Sequence, residues 1–438
     1  MRILFFLVSA LLLGACAQTP PTTTEAAPQA TPCPAGLPTS TRCLGGKDPF
    51  GAFYLIAMPA DWNGHLVVHA HGGPFLGAPT AKRIEDDLKR WAIVPRAGYA
   101  WAGSSFRQGG VAVRAAAEDT ERVRQIFVRH VARPKLTLLH GQSWGAGVAA
   151  KGAETYTRGR PYDGVLLTSG LLAGGSRSYD VRLDLRVIYQ HLCRNHPRPD
   201  EPQYPLWMGL PEGSTLTSAE LARRADECLG TATPAAQRTP EQARRLKTLV
   251  DVLRIPERSV QSHLNWATFH FQDIARRSGG KSVFGNVEAR YRGSPDDDAL
   301  NAGVARYATD PAALARFIDD TDPTGRIPVP VLTVHGIHDP TVFVEVEHTF
   351  AATMAAAGRS QALVQTFTDE SEHSYLNDAT YVALLESLVR WVQAGDRPTP
   401  QQVAEGCERA SARFPSRCRF VPGYQPAPLE SRVAPRRR

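Results

Sequence analysis

The sequence lacks the patterns that several classes of protein require. It has no Cys-x-x-Cys pair, which argues against a structural zinc site, and it has no internal repeats. No basic stretch is interleaved with aromatic residues, so the formal net charge of +7 does not indicate a nucleic-acid partner. The N-terminal apolar run, residues 3–13, is too short to span a bilayer. No motif implies a metal or an organic cofactor.

The N-terminal residues have the pattern of an export signal. Arg2 precedes the apolar run, which predicts a signal peptide over residues 1–15. Leu13-Gly14-Ala15-Cys16 resembles a bacterial lipobox, which predicts lipidation of Cys16 after cleavage. The alternative is an ordinary signal peptide with Cys16 merely near the cut. We therefore expect an exported lipoprotein, membrane-attached through Cys16, in the outer membrane/periplasm or at the cell surface.

Cysteine usage agrees with export. Of the seven cysteines, six remain when Cys16 is set aside, and an even number is typical of disulfides in an oxidising compartment. Their clustering suggests pairing between neighbours, although six cysteines allow 15 connectivities. The suggested pairs are Cys33–Cys43, Cys193–Cys228 and Cys407–Cys418.

Strand and helix patterns alternate in two separate parts of the chain. This alternation predicts a mostly parallel sheet with helices on both faces. The expected strands are residues 53–58, 65–70, 99–104, 136–139, 164–168, 329–334 and 361–367, and the expected helices of this core are residues 115–130, 344–357 and 379–394.

Between these two parts we find no convincing strand, and helix-start signals appear instead. Thr217 with Glu220 and Thr239 with Gln242 fit capping boxes, and Asp310 precedes a proline. The sequence thus predicts an all-helical cap. The expected divisions are a lipidated, disordered tether with a short Cys-bearing segment (16–46), the first half of the core (47–172), the cap (173–325), the second half of the core (326–395) and a Cys-bearing, Pro/Arg-rich, solvated tail (396–438).

The most informative motif is Gly141-Gln142-Ser143-Trp144-Gly145. It follows an apolar run and precedes a small-residue segment, which is the strand, turn and helix context of a nucleophile elbow. The glycines leave room for Ser143 to adopt a strained conformation in which its hydroxyl stands clear of the sheet. We predict Ser143 as a nucleophile.

A serine nucleophile needs a base and an orienting acid. Asp339 follows one predicted strand of the second part and His373 follows the next, so both lie at the edge where Ser143 is expected. This order along the chain predicts a triad of Ser143, Asp339 and His373. Rival acids lie close to His373, and they are Asp369, Glu370 and Glu372.

An anion-binding site is expected at the end of an earlier strand, in His71-Gly72-Gly73-Pro74. Because Pro74 has no N–H, the donor must be a glycine, and we favour Gly73 over Gly72. The amide of Trp144 would be the second donor. His69 and His71 have a spacing that a metal could use, but packing next to the glycines is the favoured interpretation.

Taken together, these motifs make the chain resemble a serine α/β-hydrolase over residues 50–170 and 325–395. The resemblance rests on His71-Gly72-Gly73-Pro74, the Ser143 elbow, His335-Gly336-x-x-Asp339 and Glu372-His373. It implies an α/β-hydrolase fold with a cap. The chain is also similar to proline iminopeptidases, but Phe75 stands where they have a further glycine.

The resemblance implies hydrolysis of a carboxylic ester through an acyl-enzyme, without a cofactor or metal. Aromatic and apolar residues of the cap suggest an acyl pocket, or alternatively core: Trp207, Met208, Trp266, Phe269 and Phe271. A peptidase with the same triad would need an acid to anchor the substrate amine, for which the candidates are Glu257, Asp273 and residues 296–298. A third hypothesis, a binding protein on a decayed scaffold, conflicts with an intact triad.

Overall fold

The structure is a computed structural model that describes residues 26–436. The predicted signal peptide, residues 1–15, and the predicted lipidation site, Cys16, lie outside the described residues. Within residues 26–436, no helix is both long enough and apolar enough to cross a bilayer.

A nine-stranded sheet forms the centre of the molecule. Its strands are β1 (Gln29–Thr31), β2 (Arg42–Lys47), β3 (Phe53–Met58), β4 (His65–Ala70), β5 (Ala100–Ser104), β6 (Leu136–Gln142), β7 (Gly164–Thr168), β8 (Val331–Gly336) and β9 (Leu363–Thr368). They lie in the order β1-β2-β3-β5-β4-β6-β7-β8-β9. The pairs β1–β2, β2–β3 and β3–β5 are antiparallel. The remaining pairs, from β5–β4 to β8–β9, are parallel. Strands β4 to β8 are almost wholly buried, since helices cover both faces.

Helices pack on each face of this sheet. The helices are α1 (Ala81–Arg90), α2 (Ile93–Arg96), α3 (Val113–His130), α4 (Trp144–Thr155), α5 (Gly175–Ser178), α6 (Asp180–Cys193), α7 (Ser218–Leu229), α8 (Pro240–Leu253), α9 (Val260–Asn265), α10 (Phe271–Arg277), α11 (Asp297–Gly303), α12 (Pro311–Thr321), α13 (Val346–Ala356), α14 (Asp378–Ala394) and α15 (Pro400–Ser411). One apolar cluster joins α3, α4 and α13 to the sheet, and another joins α1, α2, α14 and α15 to its opposite face.

The strand order and the elbow after β6 give the chain the α/β-hydrolase fold. The resemblance inferred from the sequence is therefore confirmed at the level of the fold, as is the mostly parallel sheet covered on both sides. The predicted strands and helices of the core are present, with ends that differ by a few residues. For example, the strand expected over residues 329–334 is β8, Val331–Gly336.

Between β7 and β8, every regular element of the described chain is a helix, from α5 to α12. Thr239 and Gln242 form the complete capping box expected at the start of α8. At α7, Thr217 accepts a hydrogen bond from the Glu220 amide at 3.1 Å, but the reciprocal bond is absent. A π-helical turn, Trp266–His270, links α9 to α10.

Both ends of the described chain are more ordered than the sequence suggested. The last part of the predicted tether forms β1, and the Cys-bearing segment after it forms β2, a six-residue strand that pairs with β3 along its whole length. At the other end, α15 packs on α14, and Phe420 bridges to Thr368 of β9. The expectation of a solvated tail is wrong as far as residue 436, because the Arg436 guanidinium is buried against Asp180 and Asp184.

The three suggested cysteine pairings are confirmed. Cys33 and Cys43 link the segment before β2 to β2 itself, and Cys407–Cys418 ties the end of the chain to α15. The bond between Cys193 and Cys228 lies in the cap, where it joins the end of α6 to α7.

Candidate active site

Ser143 lies at the sharp turn between β6 and α4. Its backbone angles are φ 57° and ψ −122°, a region that residues other than glycine rarely occupy. The flanking glycines are sterically required: a Cβ at Gly141 would lie 2.2 Å from the Gly145 carbonyl oxygen, and one at Gly145 would lie 2.1 Å from that of Ala70. The turn thus holds the serine hydroxyl at the carboxyl end of the parallel strands.

The structure brings Ser143 and His373 into direct contact. The Ser143 hydroxyl lies 2.7 Å from Nε2 of His373, a distance suited to proton transfer. His373 belongs to the loop between β9 and α14, and its side chain is mostly buried.

Asp339 completes the chain of hydrogen bonds. Its Oδ2 accepts a hydrogen bond from Nδ1 of His373 at 2.7 Å, and Oδ1 accepts from the amides of Thr341 and Val342 at 2.8 and 3.0 Å. Burial alone would raise the pKa of Asp339. The charge of His373 and hydrogen bonds from His335 and His373 outweigh burial and hold that pKa well below its usual range. The acid is therefore held as a carboxylate.

The rival acids point elsewhere. Asp369 is exposed and lies 3.2 Å from His338, and Glu370 lies 3.7 Å from Arg419. Glu372 is exposed at the surface of the loop. Of the four acids considered from the sequence, only Asp339 contacts His373.

A second histidine lies directly behind the acid. His335 is fully buried, with Nε2 3.4 Å from Asp339 Oδ2 and Nδ1 3.4 Å from Glu347 Oε1. Its Nε2 also donates to the Val342 carbonyl at 2.9 Å, so both ring nitrogens face acceptors. Burial opposes a charge on this ring, but hydrogen bonds with Asp339 and Glu347 raise the pKa of His335 to about 10. The sequence motif showed His335 but not this charged state.

The predicted anion site lies beside the serine. Trp144 is the first residue of α4, so its amide has no partner within the helix, and Gly73 follows β4 with φ 74°. In residues 26–436, neither amide donates to a protein acceptor. Both residues line one cavity of about 220 Å³, together with His71 and Arg83. Gly72 is not among the residues that line this cavity, and its carbonyl accepts a hydrogen bond from Arg83 at 2.6 Å.

His69 and His71 pack rather than converge on a common point. Nδ1 of His69 lies 3.0 Å from Nδ1 of His140, and the His69 ring contacts the Trp91 and Trp101 rings. His71 stacks on Phe106 with ring centroids 4.1 Å apart. Burial lowers the pKa of His71 to about 3, so the ring is neutral. In the described part of the chain, no group of three metal-binding side chains is arranged around one point.

The cap aromatics divide between core and cavity. Phe271 is fully buried and stacks on Phe284 with centroids 4.4 Å apart, so it is core. Trp207 also packs against the cap core. Met208 and Phe269 instead line a cavity of about 580 Å³ that reaches Leu76 of the loop after β4. Trp266 is stacked on His270, with centroids 4.7 Å apart.

Most of the acids considered as amine anchors have other partners. Glu257 pairs with Arg238 at 2.9 Å, and Asp273 pairs with Arg276 and Arg277 at 2.8 and 2.7 Å. Asp296 caps α11 by accepting from Ala299, and its neighbour Asp297 accepts from Ser294. Asp298 lies in the first turn of the same helix.

Sequence reasoning missed three side chains of the cap, two of which contact the loops of the site. His263 Nε2 donates to the Pro340 carbonyl at 2.8 Å, and His270 Nε2 donates to that of Pro74 at 3.1 Å. The guanidinium of Arg182, on α6, lies 4.4 Å from the centre of the Trp266 ring. These residues have no motif spacing, so only the fold brings them together.

Comparison with known proteins finds no match to a protein-family profile and none to a curated protein sequence. Among solved structures, an esterase from Aspergillus oryzae is 14% identical, with 85% of this chain and 86% of that chain covered and a TM-score of 0.43. A highly thermostable carboxyl esterase from Bacillus coagulans is 13% identical, with 80% and 100% covered and a TM-score of 0.37. A rice cell wall degrading esterase, LipA from Xanthomonas oryzae, is 14% identical, with 81% and 91% covered and a TM-score of 0.36.

Proposed function

We propose that this α/β-hydrolase-fold protein is a serine hydrolase that cleaves a carboxylic ester through an acyl-enzyme. The observation that carries the proposal is the continuous contact from Ser143 through His373 to Asp339, with both distances at 2.7 Å. The strained elbow and the free amides beside it supply the other two requirements of acyl transfer, an accessible nucleophile and an anion site.

In the first step, Ser143 Oγ attacks the ester carbonyl while His373 Nε2 takes the serine proton. Asp339 stabilises the imidazolium that forms, since it accepts from Nδ1 and is itself ionised. The amides of Gly73 and Trp144 donate to the developing oxyanion. His373 then protonates the departing alkoxide, which leaves an acyl group on Ser143 and releases the alcohol.

In the second step, His373 removes a proton from a water molecule, which attacks the acyl carbonyl. The tetrahedral intermediate collapses, the proton returns to Ser143, and the acid is released. The cycle consumes one ester and one water and needs no further reactant. The proposed partner of the protein is thus a small-molecule ester.

The cap favours an ester over a peptide with a free N-terminus. An aminopeptidase anchors the substrate amine on a carboxylate. Of the acids considered for that role, Glu257 and Asp273 are paired with arginines, Asp296 caps a helix, and Asp298 is exposed. Peptidase activity is therefore the alternative that the experiment below distinguishes from ester hydrolysis.

Hydrolysis of p-nitrophenyl acyl esters and of aminoacyl p-nitroanilides tests the proposal. We expect ester turnover in the wild type, its loss in Ser143→Ala and no cleavage of anilides. Anilide cleavage that requires a free amine would indicate the aminopeptidase. Ester turnover that survives in Ser143→Ala would contradict the assignment of the nucleophile.

We further propose that the protein is an exported bacterial lipoprotein attached to a membrane through Cys16. Three disulfides support an oxidising compartment. Expression in a Gram-negative host with an alkyne-labelled palmitate tests this. The label should enter the wild type but not Cys16→Ser, and label in both would contradict the site. Cys33→Ser is the control for loss of a cysteine that lies in a disulfide.

A further inference from the structure

Arg182 is a buried cation without an anionic partner. Its side chain is buried in the cap, yet in the described chain no carboxylate forms an ion pair with it. Nε has no hydrogen-bond partner, and Nη1 makes one long bond to the Ser178 carbonyl at 3.3 Å. Buried charges are normally paired. Arg224 shows the usual arrangement, with both of its Nη atoms bonded to the Glu201 carboxylate.

Aromatic rings hold this guanidinium in place. It lies 4.4 Å from the Trp266 ring centre and 5.2 Å from that of Tyr179. Such contacts stabilise a cation and leave its in-plane N–H groups available to an acceptor. Burial lowers the pKa of Arg182 to about 10, so the group stays charged at neutral pH.

The neighbours of Arg182 reach the loops that supply Asp339 and Gly73. Trp266, which Arg182 contacts, stacks on His270 with ring centroids 4.7 Å apart. Burial and then the charge of Arg182 lower the pKa of both His263 and His270. His263 bonds to the residue that follows Asp339, and His270 bonds to the residue that follows Gly73. Arg182 therefore belongs to a group of cap residues that contacts both the loop that supplies the acid and the loop that supplies an oxyanion donor. The Ser143 elbow adjoins the same loops, since Ser143 reaches Asp339 through His373 and Gly145 packs against the carbonyls of Ala70 and His71.

A second polar group in this region also has no partner. The indole Nε1 of Trp144, the residue after the nucleophile, is buried and donates to no acceptor in residues 26–436. Leaving a buried donor unpaired costs free energy, and a ligand with suitably placed oxygens would recover part of it. Two unpaired donors, one of them cationic, favour a ligand rich in acceptor oxygens.

We propose that Arg182 binds a carboxylate carried by the substrate, so that the preferred substrates are esters with a free carboxylate. The guanidinium matches a carboxylate through two parallel N–H···O bonds. The inference rests on the proposed ester hydrolysis and adds the chemical class of the substrate. It also agrees with the arginine partners of Glu257 and Asp273, two of the acids considered as anchors for an amine.

Matched ester pairs test the proposal. In the first pair, p-nitrophenyl hydrogen adipate is compared with its methyl ester. These two substrates differ by one negative charge, which lies on the acyl side of the p-nitrophenyl ester. In the second pair, 4-acetoxybenzoate is compared with methyl 4-acetoxybenzoate, so that the charge lies on the alcohol side. The measurement is the ratio of kcat/KM for the acid to that for its neutral partner, which does not depend on how much of a variant is folded.

In the wild type we expect a ratio of about 10 to 100 in one of the two pairs, the range of a charge-assisted hydrogen bond. Arg182→Met should bring that ratio close to one, mainly through KM, and Arg182→Lys should retain part of it. Arg186→Met is the matched control, because Arg186 is a buried guanidinium one turn along α6 that donates to the Gly209 carbonyl. The control should keep the wild-type ratio.

A ratio near one in both pairs, or a ratio that Arg182→Met leaves unchanged, would overturn the proposal. Failure of the underlying function has a different signature, because the neutral esters would then show no turnover that depends on Ser143. That result would contradict the ester hydrolase and, with it, the substrate class.

Discussion

His335 and Asp339 are in direct contact: Nε2 of the histidine lies 3.4 Å from the carboxylate oxygen that also accepts from His373. The other nitrogen of His335 faces Glu347, so the buried imidazole ring lies between two buried acidic side chains. The acid of the proposed triad is therefore part of a longer charged network. His335 acts as a positioning residue, since it acts through Asp339.

Replacement of His335 should make stability respond differently to pH. The pKa of His335 is raised from 6.5 to about 10 in the folded protein. A raised pKa contributes stability that is fully present below pH 6.5 and is lost as the pH rises through about 10. His335→Gln should thus lower the free energy of unfolding most at pH 6 and least near pH 10.

Urea unfolding of both proteins across this pH range measures the difference. Removal of one member of a buried charge network typically costs about 3–5 kcal/mol, and we expect that order at pH 6. His338→Gln is the control, because His338 is an exposed histidine in the loop that follows β8. An equal difference between wild type and His335→Gln at pH 6 and pH 10 would show that the histidine is neutral.

Asp339→Asn should remove the acid while the loop keeps its shape. The side-chain amide of an asparagine at position 339 would hold His373 in the wrong tautomer. In triads of this kind the same Asp→Asn replacement lowers kcat by about 10⁴-fold. Asp369→Asn changes the rival acid, which pairs with His338 at the surface, and should leave kcat within twofold (about 0.4 kcal/mol on the transition-state scale). Equal losses in the two variants would mean that Asp339 has no special role.

Gly145 should tolerate no side chain. A Cβ there would lie 2.1 Å from the Ala70 carbonyl oxygen and 2.4 Å from that of His71, so the end of β4 or the elbow must move. A displacement of about 1 Å in a catalytic site can cost about 100-fold in rate, and we expect that order of loss in kcat/KM for Gly145→Ala.

Gly147→Ala, two residues further along α4, is the matched control. Its Cβ would meet only the Leu171 carbonyl oxygen, at 3.7 Å. Alanine in a helix interior is favoured over glycine by about 1 kcal/mol, so this variant should gain stability and keep its activity. Similar kinetics for the two variants would contradict the steric account of the elbow.

The cap disulfide should contribute more stability than the N-terminal one. Cys193 and Cys228 are 35 residues apart, whereas Cys33 and Cys43 are 10 apart. The chain-entropy relation gives about 4 kcal/mol for the longer loop and about 3 kcal/mol for the shorter one. Unfolding of the two double Cys→Ser variants tests this order, and the reverse order would show that native contacts outweigh chain entropy.

The core could be predicted from sequence because local signals and the fold agree there. Apolar runs such as β7 are bounded by turns, and the elbow has a motif whose glycines have a steric cause. Chain order alone was enough to nominate Asp339 and His373. The choice among four acids depended on the loop conformation, which local sequence does not encode.

Arg182, His263 and His270 were missed because they come from different helical segments of the cap. On α6, Asp180 and Asp184 lie two residues before and after Arg182, so they project from another side of the helix. There they bind Arg436, which is more than 200 residues away in the sequence. The strands β1 and β2 were missed because one is only three residues long and the other contains Gly45 and Gly46.

The most direct test of the account is the pre-steady-state release of p-nitrophenol from a p-nitrophenyl ester, with Ser143→Ala beside the wild type. The account predicts a burst in the wild type that approaches one equivalent per folded enzyme, with the acyl mass on the peptide that contains Ser143. It predicts neither burst nor added mass in Ser143→Ala. A burst that persists in this variant, or an acyl group found on another residue, would contradict the claim that Ser143 is the nucleophile.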